Sequence, residues 1–236
     1  MSREAASPAY EYAGGELELF EKAVRWKRYW RNRVQRFVAG DVLEVGAGIG
    51  ANTRALSDLP HRSWTCLEPD PALAARIPSI GPGYAARVGT TEDLGASEAF
   101  DTILYIDVLE HIEDDRGELT RAATHLNPGG HLIVLSPAHQ FLYAPFDRAI
   151  GHFRRYSRSS LRAATPVSLR ETKLAYLDSV GLVASAANRL LLSQSMPTES
   201  QILAWDCLMV PISRLLDPVF MGRAGKSILG VWQRER

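Results

Sequence analysis

Asp41-Val42-Leu43-Glu44-Val45-Gly46-Ala47-Gly48-Ile49-Gly50 decides how this chain is read. Val42, Leu43 and Val45 form the apolar run of a short buried strand, and the glycines that follow let the backbone turn tightly against a ligand. Asn52-Thr53-Arg54-Ala55-Leu56 then begins a helix. Strand, glycine loop and helix in that order make a nucleotide-type cofactor site. Gly46-x-Gly48-x-x-Ala51 also satisfies the loose dinucleotide fingerprint, a weak signal when it stands alone.

Glu44 separates two cofactor classes. A pyrophosphate packed on this loop would sit close to the carboxylate, and like charges repel strongly where water is partly excluded. S-adenosylmethionine carries ammonium and sulfonium cations, for which a carboxylate is attractive. The next apolar run, Ser63-Trp64-Thr65-Cys66-Leu67, leads into Glu68-Pro69-Asp70. Glu68 falls about 20 residues past the loop, the distance expected of an acid that binds ribose hydroxyls. A carboxylate accepts from both hydroxyls of an unphosphorylated ribose.

Two further stretches continue the pattern: Phe100-Asp101-Thr102-Ile103-Leu104-Tyr105-Ile106-Asp107-Val108-Leu109-Glu110-His111-Ile112 and Asn127-Pro128-Gly129-Gly130-His131-Leu132-Ile133-Val134. With the glycine loop and Leu67-Glu68-Pro69-Asp70, they resemble the ordered motifs of class I S-adenosylmethionine-dependent methyltransferases. The similarity is greatest to the small-molecule branch with ubiquinone-pathway and sugar or natural-product methyltransferases, and covers residues 38–136 well. Four motifs in order are far more specific than one. The resemblance implies a Rossmann-like seven-stranded sheet in the order 3-2-1-4-5-7-6, the last strand antiparallel. It implies cofactor contacts from Glu44, Gly46, Gly48, Glu68, Pro69 and Asp107. Relatives often place an acid near the adenine amine in the loop after the third strand; here Thr90 stands first, so the resemblance passes that role to Glu92, with Thr91 a further cofactor-binding candidate.

Composition narrows the partners. A chain of 236 residues, 46% hydrophobic, suits one domain with a sizeable core. Lys+Arg and Asp+Glu both total 27, a balance that gives no case for nucleic acid. Two cysteines, Cys66 and Cys207, suit a reducing compartment without disulfides. The N-terminus has acids and tyrosines where a signal peptide needs an apolar core, so the expected location is cytoplasmic.

Strands alternating with helices predict a largely parallel sheet with helices on both faces and ligands outside its carboxyl ends. Tyr84–Val88, Thr102–Ile106, Leu132–Ser136 and Leu169–Leu177 read as the third to sixth strands, and residues 226–232 as the seventh. One methyltransferase domain spans residues 1–236: an N-terminal helical lid to residue 37, the cofactor core 38–136, and a substrate side from residues 137–166 and 180–222. The first dozen residues should be mobile unless substrate orders them. In residues 16–37 an aromatic stripe including Phe20, Trp26, Tyr29 and Trp30 either packs on the sheet or covers the cofactor. The insert 180–222 is apolar with Trp205 and Met209, but Asn188, Arg189, Asp206, Arg214 and Asp217 interrupt it below the ~18 residues of a membrane span. It reads as a self-burying helical cap, with a hydrophobic substrate roof or a weak membrane-surface contact as alternatives.

Methyl transfer chiefly needs alignment and, where required, removal of a proton. His111, just past the fourth strand, is the first base candidate, because an imidazole titrates near neutral pH. The loop Pro137–Tyr156 is dense in aromatics and ionisable groups, more than a connector needs. His139 and Tyr143 are secondary base candidates; Asp147, His152, Arg154, Arg155 and Tyr156 are substrate-binding candidates. The arginine forks suit a phosphate or carboxylate. His139, Asp147 and His152 have no recognised metal spacing, and no metal is expected. The expected function is methyl transfer from S-adenosylmethionine to an O or N atom of a small molecule such as a sugar or polyketide. A lipid or isoprenoid acceptor is the alternative. A nicotinamide-dependent oxidoreductase suffers from Glu44 and lacks a Tyr-x-x-x-Lys pair, and a non-catalytic cofactor binder is the third class.

Overall fold

Residues 15–77, 81, 83–191 and 197–235 are described by the computed structural model; the expected mobile first dozen and residues 192–196 of the insert lie outside them. The strands are β1 (Asp41–Val45), β2 (Ser63–Glu68), β3 (Tyr84–Val88), β4 (Phe100–Ile106), β5 (Leu126–Pro137), β6 (Leu169–Leu177) and β7 (Ser227–Arg234). They form one sheet in the order β3-β2-β1-β4-β5-β7-β6. Strands β1 to β5 pair in parallel, and β7 runs antiparallel to both β5 and β6. The architecture matches the expected order. The largest boundary difference is at β5, which begins at Leu126 rather than Leu132, because Leu126 pairs with Phe100 and a register shift between Phe100 and Thr102 absorbs the glycines that follow; β4 begins two residues earlier and β7 ends two residues later than expected.

The two sheet faces follow from side-chain alternation. Val42, Trp64, Cys66, Leu104, Ile106, Ile133, Leu135 and Val231 face one core layer. There they meet Trp26, Tyr29 and Trp30 of α2 (Val24–Val34), which follows the short α1 (Glu16–Glu21). Leu43, Val45, Leu67, Ile103, Tyr105, Leu132 and Val134 face the other layer. The first helices beyond β1 and β2 are α3 (Ala51–Leu56) and α4 (Pro71–Ala74). On the second face lie α5 (Asp115–Thr124), through Leu119, and α7 (Arg158–Ala164), through Leu161, with the short α6 (Pro145–Ala149) between them in sequence.

The insert is a helical cap. It comprises α8 (Ser179–Leu191), α9 (Glu199–Ala204) and α10 (Val210–Leu216), the last two joined by a π-helical segment, Trp205–Met209. Its acids do not merely interrupt an apolar run. Asp178, in the left-handed region at φ 68°, accepts from Gly181 N at 3.0 Å, Ser213 Oγ at 2.5 Å and Trp205 Nε1 at 2.7 Å. Asp217 accepts from Tyr29 Oη at 2.6 Å and from the N–H groups of Asp178 and Ser179 at 2.7 and 3.0 Å. Asp206 accepts from Trp26 N at 2.7 Å. All three are buried, so each hydrogen bond replaces water that the site excludes, and losing the acceptor would strand its donors. These acids clasp the cap to β6 and to α2.

Among the described residues, no helix is long and apolar enough to cross a membrane.

Candidate active site

The glycine loop leaves β1 with Gly46, Gly48 and Gly50 all at positive φ. At Gly46 no other residue fits: a Cβ there would stand 2.6 Å from Val108 Cγ2. Gly46 N donates to Leu67 O at 2.7 Å, so the loop is pinned against the end of β2. Beside it Glu68, 4% exposed, accepts from Gly48 N at 2.7 Å on one oxygen and from Asp70 N at 3.0 Å on the other. A carboxylate has about four acceptor sites, so Glu68 keeps capacity for ligand hydroxyls. Burial raises its pKa. Glu68, Pro69, Thr90, Glu92, Gly46, Gly48, Asp107 and His111 are among the residues lining a cavity of about 380 Å³.

A second cavity of about 750 Å³ opens on the other side of the loop. Leu17, Gly46, Gly48, Asp107 and His111 line both, so they form a shared wall. Its remaining lining is largely aromatic and apolar, including Phe20, Trp26, Trp30, Phe146, Ile202 and Trp205. Among the described residues three cations also border it. Lys27 donates to Phe20 O, Lys226 lies 3.5 Å over the Trp205 ring, and Arg155 projects from the loop. Burial pulls Lys27 down to about 8.

The wall residues are held in unusual states. Asp107 has φ 55° at the end of β4, and its N–H donates to Leu135 O at 2.8 Å. Burial pushes its carboxyl up to about 6, against the pull of His152, Lys27 and Lys226. His111 packs edge-on against His152 with ring centroids 4.5 Å apart. Burial, with His152 beside it, lowers His111 to about 3. The near-neutral titration that recommended it as a base is therefore absent. His111 is a neutral imidazole at physiological pH.

Several expected contacts lie elsewhere. Glu44 is 2% exposed and accepts from Thr53 Oγ1 at 2.8 Å and Trp64 Nε1 at 2.9 Å, on the interior side of β1; it lines neither cavity. Burial pushes it up to about 7. Thr91 is turned inward onto Glu118 Oε2 at 2.7 Å, while Glu92 faces the smaller cavity and takes Arg121 Nη2 at 2.8 Å. His139 borders neither cavity: it stacks on Tyr176 at 4.6 Å with its Nε2 3.0 Å from Gly225 O. Arg154 is spent on Glu113 O and Asp115, both at 2.7 Å. Tyr156, 1% exposed, donates to Asp115 Oδ2 at 2.7 Å. Asp147 is fully buried, yet it organises the cavity edge. It takes both Nε and Nη2 of Arg155, at 2.7 and 2.9 Å, and stands 2.9 Å from His152 Nδ1. Tyr143 does line the larger cavity, its hydroxyl donating to His152 O at 2.6 Å.

Glu110, Lys27 and Lys226 border the larger cavity without having been singled out. For Glu110 a signal existed, since it adjoins His111 in the fourth-strand motif. Lys27 and Lys226 come from opposite ends of the chain, and only the fold brings them together.

The family model described as a methyltransferase domain matches residues 20–165. Ubiquinone biosynthesis O-methyltransferase of Xanthomonas euvesicatoria pv. vesicatoria is 33% identical over 98 residues, 39% of this chain and 41% of that protein. The protein of the same name from Paramagnetospirillum magneticum is 34% identical over 92 residues, 38% of this chain and 37% of that one. The chain thus matches about two-fifths of the length of these relatives. In fold it is similar to the N-methyltransferase NodS from Bradyrhizobium japonicum WM9, at TM-score 0.58 and 15% identity, over 92% of this chain and 99% of that one. It is also similar to an S-adenosylmethionine dependent methyltransferase from Mesorhizobium loti, at TM-score 0.60 and 15% identity, over 91% of this chain and all of that one. With the family model covering more than half of its length, the chain belongs to the methyltransferase-domain family, the S-adenosylmethionine-dependent class to which its glycine loop and acidic strand end point.

Proposed function

We propose that this chain is a single-domain enzyme that transfers a methyl group from S-adenosylmethionine to an oxygen or nitrogen atom of a small molecule with an apolar body. The observation that carries this reading is the wall shared by two cavities, made by the glycine loop, Asp107 and His111. The smaller cavity suits the nucleoside: Glu68 would hold the ribose hydroxyls, with Pro69 and Glu92 around the base. The donor set fits, because Glu68 is fixed by backbone N–H groups and keeps open acceptor sites. S-adenosylmethionine brings a methyl already activated on sulfonium, so this chain's residues need only align an acceptor across the wall and exclude water.

The acceptor would lie in the larger cavity. Its aromatic lining favours a polyketide-like or isoprenoid body over a bare sugar, since stacked rings are buried most favourably against apolar surface. Lys226 and Arg155 would meet an anionic substituent. The lipid or isoprenoid reading has its own support. Leu208, Ile212, Leu215 and Val219, at helical spacing, are exposed on the cap, and the similar curated proteins are named for ubiquinone biosynthesis.

Calorimetric titration with S-adenosylmethionine, S-adenosylhomocysteine, NAD and NADP tests the donor. The first two should bind and the others should not; tighter binding of NAD would overturn the reading. Incubation with labelled methyl donor and panels of phenolic, isoprenoid, amine and sugar acceptors then identifies the product.

A further inference from the structure

We propose that Glu110, His111 and His152 bind one divalent transition-metal ion, of the zinc or manganese type, on the acceptor side of the shared wall. The inference rests on the two-cavity reading above for its role but not for its existence. One donor atom from each residue lies within 4.8 Å of the others. Ligands at ~2.1 Å from one ion stand roughly 3–4 Å apart, so small side-chain rotations close the set. Two imidazoles with one carboxylate are donors that suit zinc, manganese or ferrous iron rather than calcium or magnesium.

Glu110 supplies an independent reason. It is 0% exposed, and among the described residues neither of its carboxylate oxygens completes a well-formed hydrogen bond, with the Ser136 hydroxyl the side-chain donor beside it. His152 Nε2 is 3.8 Å from Oε1, beyond hydrogen-bond reach. A buried carboxylate left in that state is costly, and a cation is the ligand that satisfies both oxygens. His152 supplies another reason. Its Nδ1 is 2.9 Å from Asp147 Oδ1, which leaves Nε2 directed at Glu110. A carboxylate holding the far nitrogen of a histidine fixes its tautomer and raises its basicity as a ligand. Asp147 is itself locked by both nitrogens of Arg155 and by Ala144 N, so it is a positioning residue for the site.

The ion would give the acceptor a route to its nucleophilic form that the wall otherwise lacks. An acceptor hydroxyl oxygen takes an open coordination position, and its pKa falls. Its proton leaves to water. The oxygen lone pair forms the new O–CH3 bond while the C–S bond breaks, and that electron pair returns to sulfur as the sulfonium becomes a neutral thioether. This commits the acceptor to a class with a coordinating hydroxyl, such as a phenol or catechol.

Untagged protein stripped with a chelator should bind one Zn2+ or Mn2+ per chain by calorimetry, and one Co2+ should give a visible absorption band from nitrogen and oxygen ligands. Glu110→Gln and His152→Ala should each weaken the ion at least 100-fold, and Asp147→Asn by about 10–100-fold. S-adenosylhomocysteine binding, measured alongside, shows that each variant is folded. If Glu110→Gln does not bind it, His152→Gln serves in its place. Absence of one-per-chain binding, or a folded ligand variant that holds the ion as tightly as the unaltered protein, overturns the site. Protein that binds metal but not S-adenosylhomocysteine sinks the donor assignment instead, so the two failures are distinct.

Discussion

Around the smaller cavity the ligand-facing groups are set by main chain, whereas around the larger one they are set by buried side-chain acids. Gly46 is bonded to Leu67 O and Glu68 to two backbone N–H groups, all at strand ends that the sheet register already fixes. The cap has no strand to hold it. Asp178, Asp206 and Asp217 tie it to α2 and β6, and Asp147 ties the loop bearing His152 and Arg155. A main-chain frame tolerates side-chain change, but a clasp made of single carboxylates fails when one is lost. The donor half should therefore be the rigid partner and the acceptor half the sensitive one.

The largest effect should come from Glu68→Ala, which removes two charge-assisted hydrogen bonds to ribose worth about 1.5–3 kcal/mol each. S-adenosylhomocysteine affinity should fall by about 10²–10⁴ by calorimetry, and stability should fall by about 1–3 kcal/mol because Gly48 N and Asp70 N lose their acceptor. A mutant with unchanged affinity would move the ribose elsewhere. Next, Asp217→Ala strands three donors and should cost about 2–4 kcal/mol in chemical denaturation. In folded protein it should raise the acceptor KM and leave S-adenosylhomocysteine affinity within about twofold. Equal damage to both ligands would show that the halves are not separable.

Glu44→Gln sharpens the donor half. Burial holds the folded-state carboxyl near 7, above its ordinary 4.5, so its contribution to stability is present below about 4.5 and lost as pH rises through 7. Glutamine escapes that loss while its amide oxygen still accepts from Thr53 and Trp64. The variant's advantage should grow between pH 4.5 and 8 to about 1–3 kcal/mol, read as the difference in denaturation midpoints, with cofactor affinity unchanged. A large loss of cofactor binding would restore Glu44 as a ligand. The smallest effect is expected of Arg154→Ala. Its guanidinium is committed to Asp115 and Glu113 O, so acceptor KM should stay within about twofold. A tenfold rise would return it to the pocket.

The sheet order, the glycine loop and Glu68 were legible in the sequence because they repeat a local grammar: an apolar strand, a turn, a helix, an acid at the next strand end. Glu44 could have been placed by the same grammar. Strand alternation puts it on the face of Val42, toward Trp64 and α3, and not at the mouth of the loop. The acceptor side was less legible for a physical reason. In residues 139–156 the residue types that bind substrates are also those that fix loops. Asp147, Arg154, Tyr156 and His139 are satisfied by partners from Leu109 to Gly225, and no spacing reveals such pairings. Glu110 lies in the fourth-strand motif, but a lone acid beside a histidine gives no sign in the sequence of its burial.

Cys66 and Cys207 occupy opposite environments. Cys66 is buried between Thr53 and Glu44 and its thiol is pushed up to about 12, whereas Cys207 is exposed on the π-helical segment of the cap. An electrophile that needs a thiolate will find only one of them in the native protein. The chain thus comes with a built-in chemical address on the half that should respond to the acceptor. A fluorophore coupled there, at the seam where Arg25 of α2 meets the cap, should report acceptor binding without any engineered cysteine.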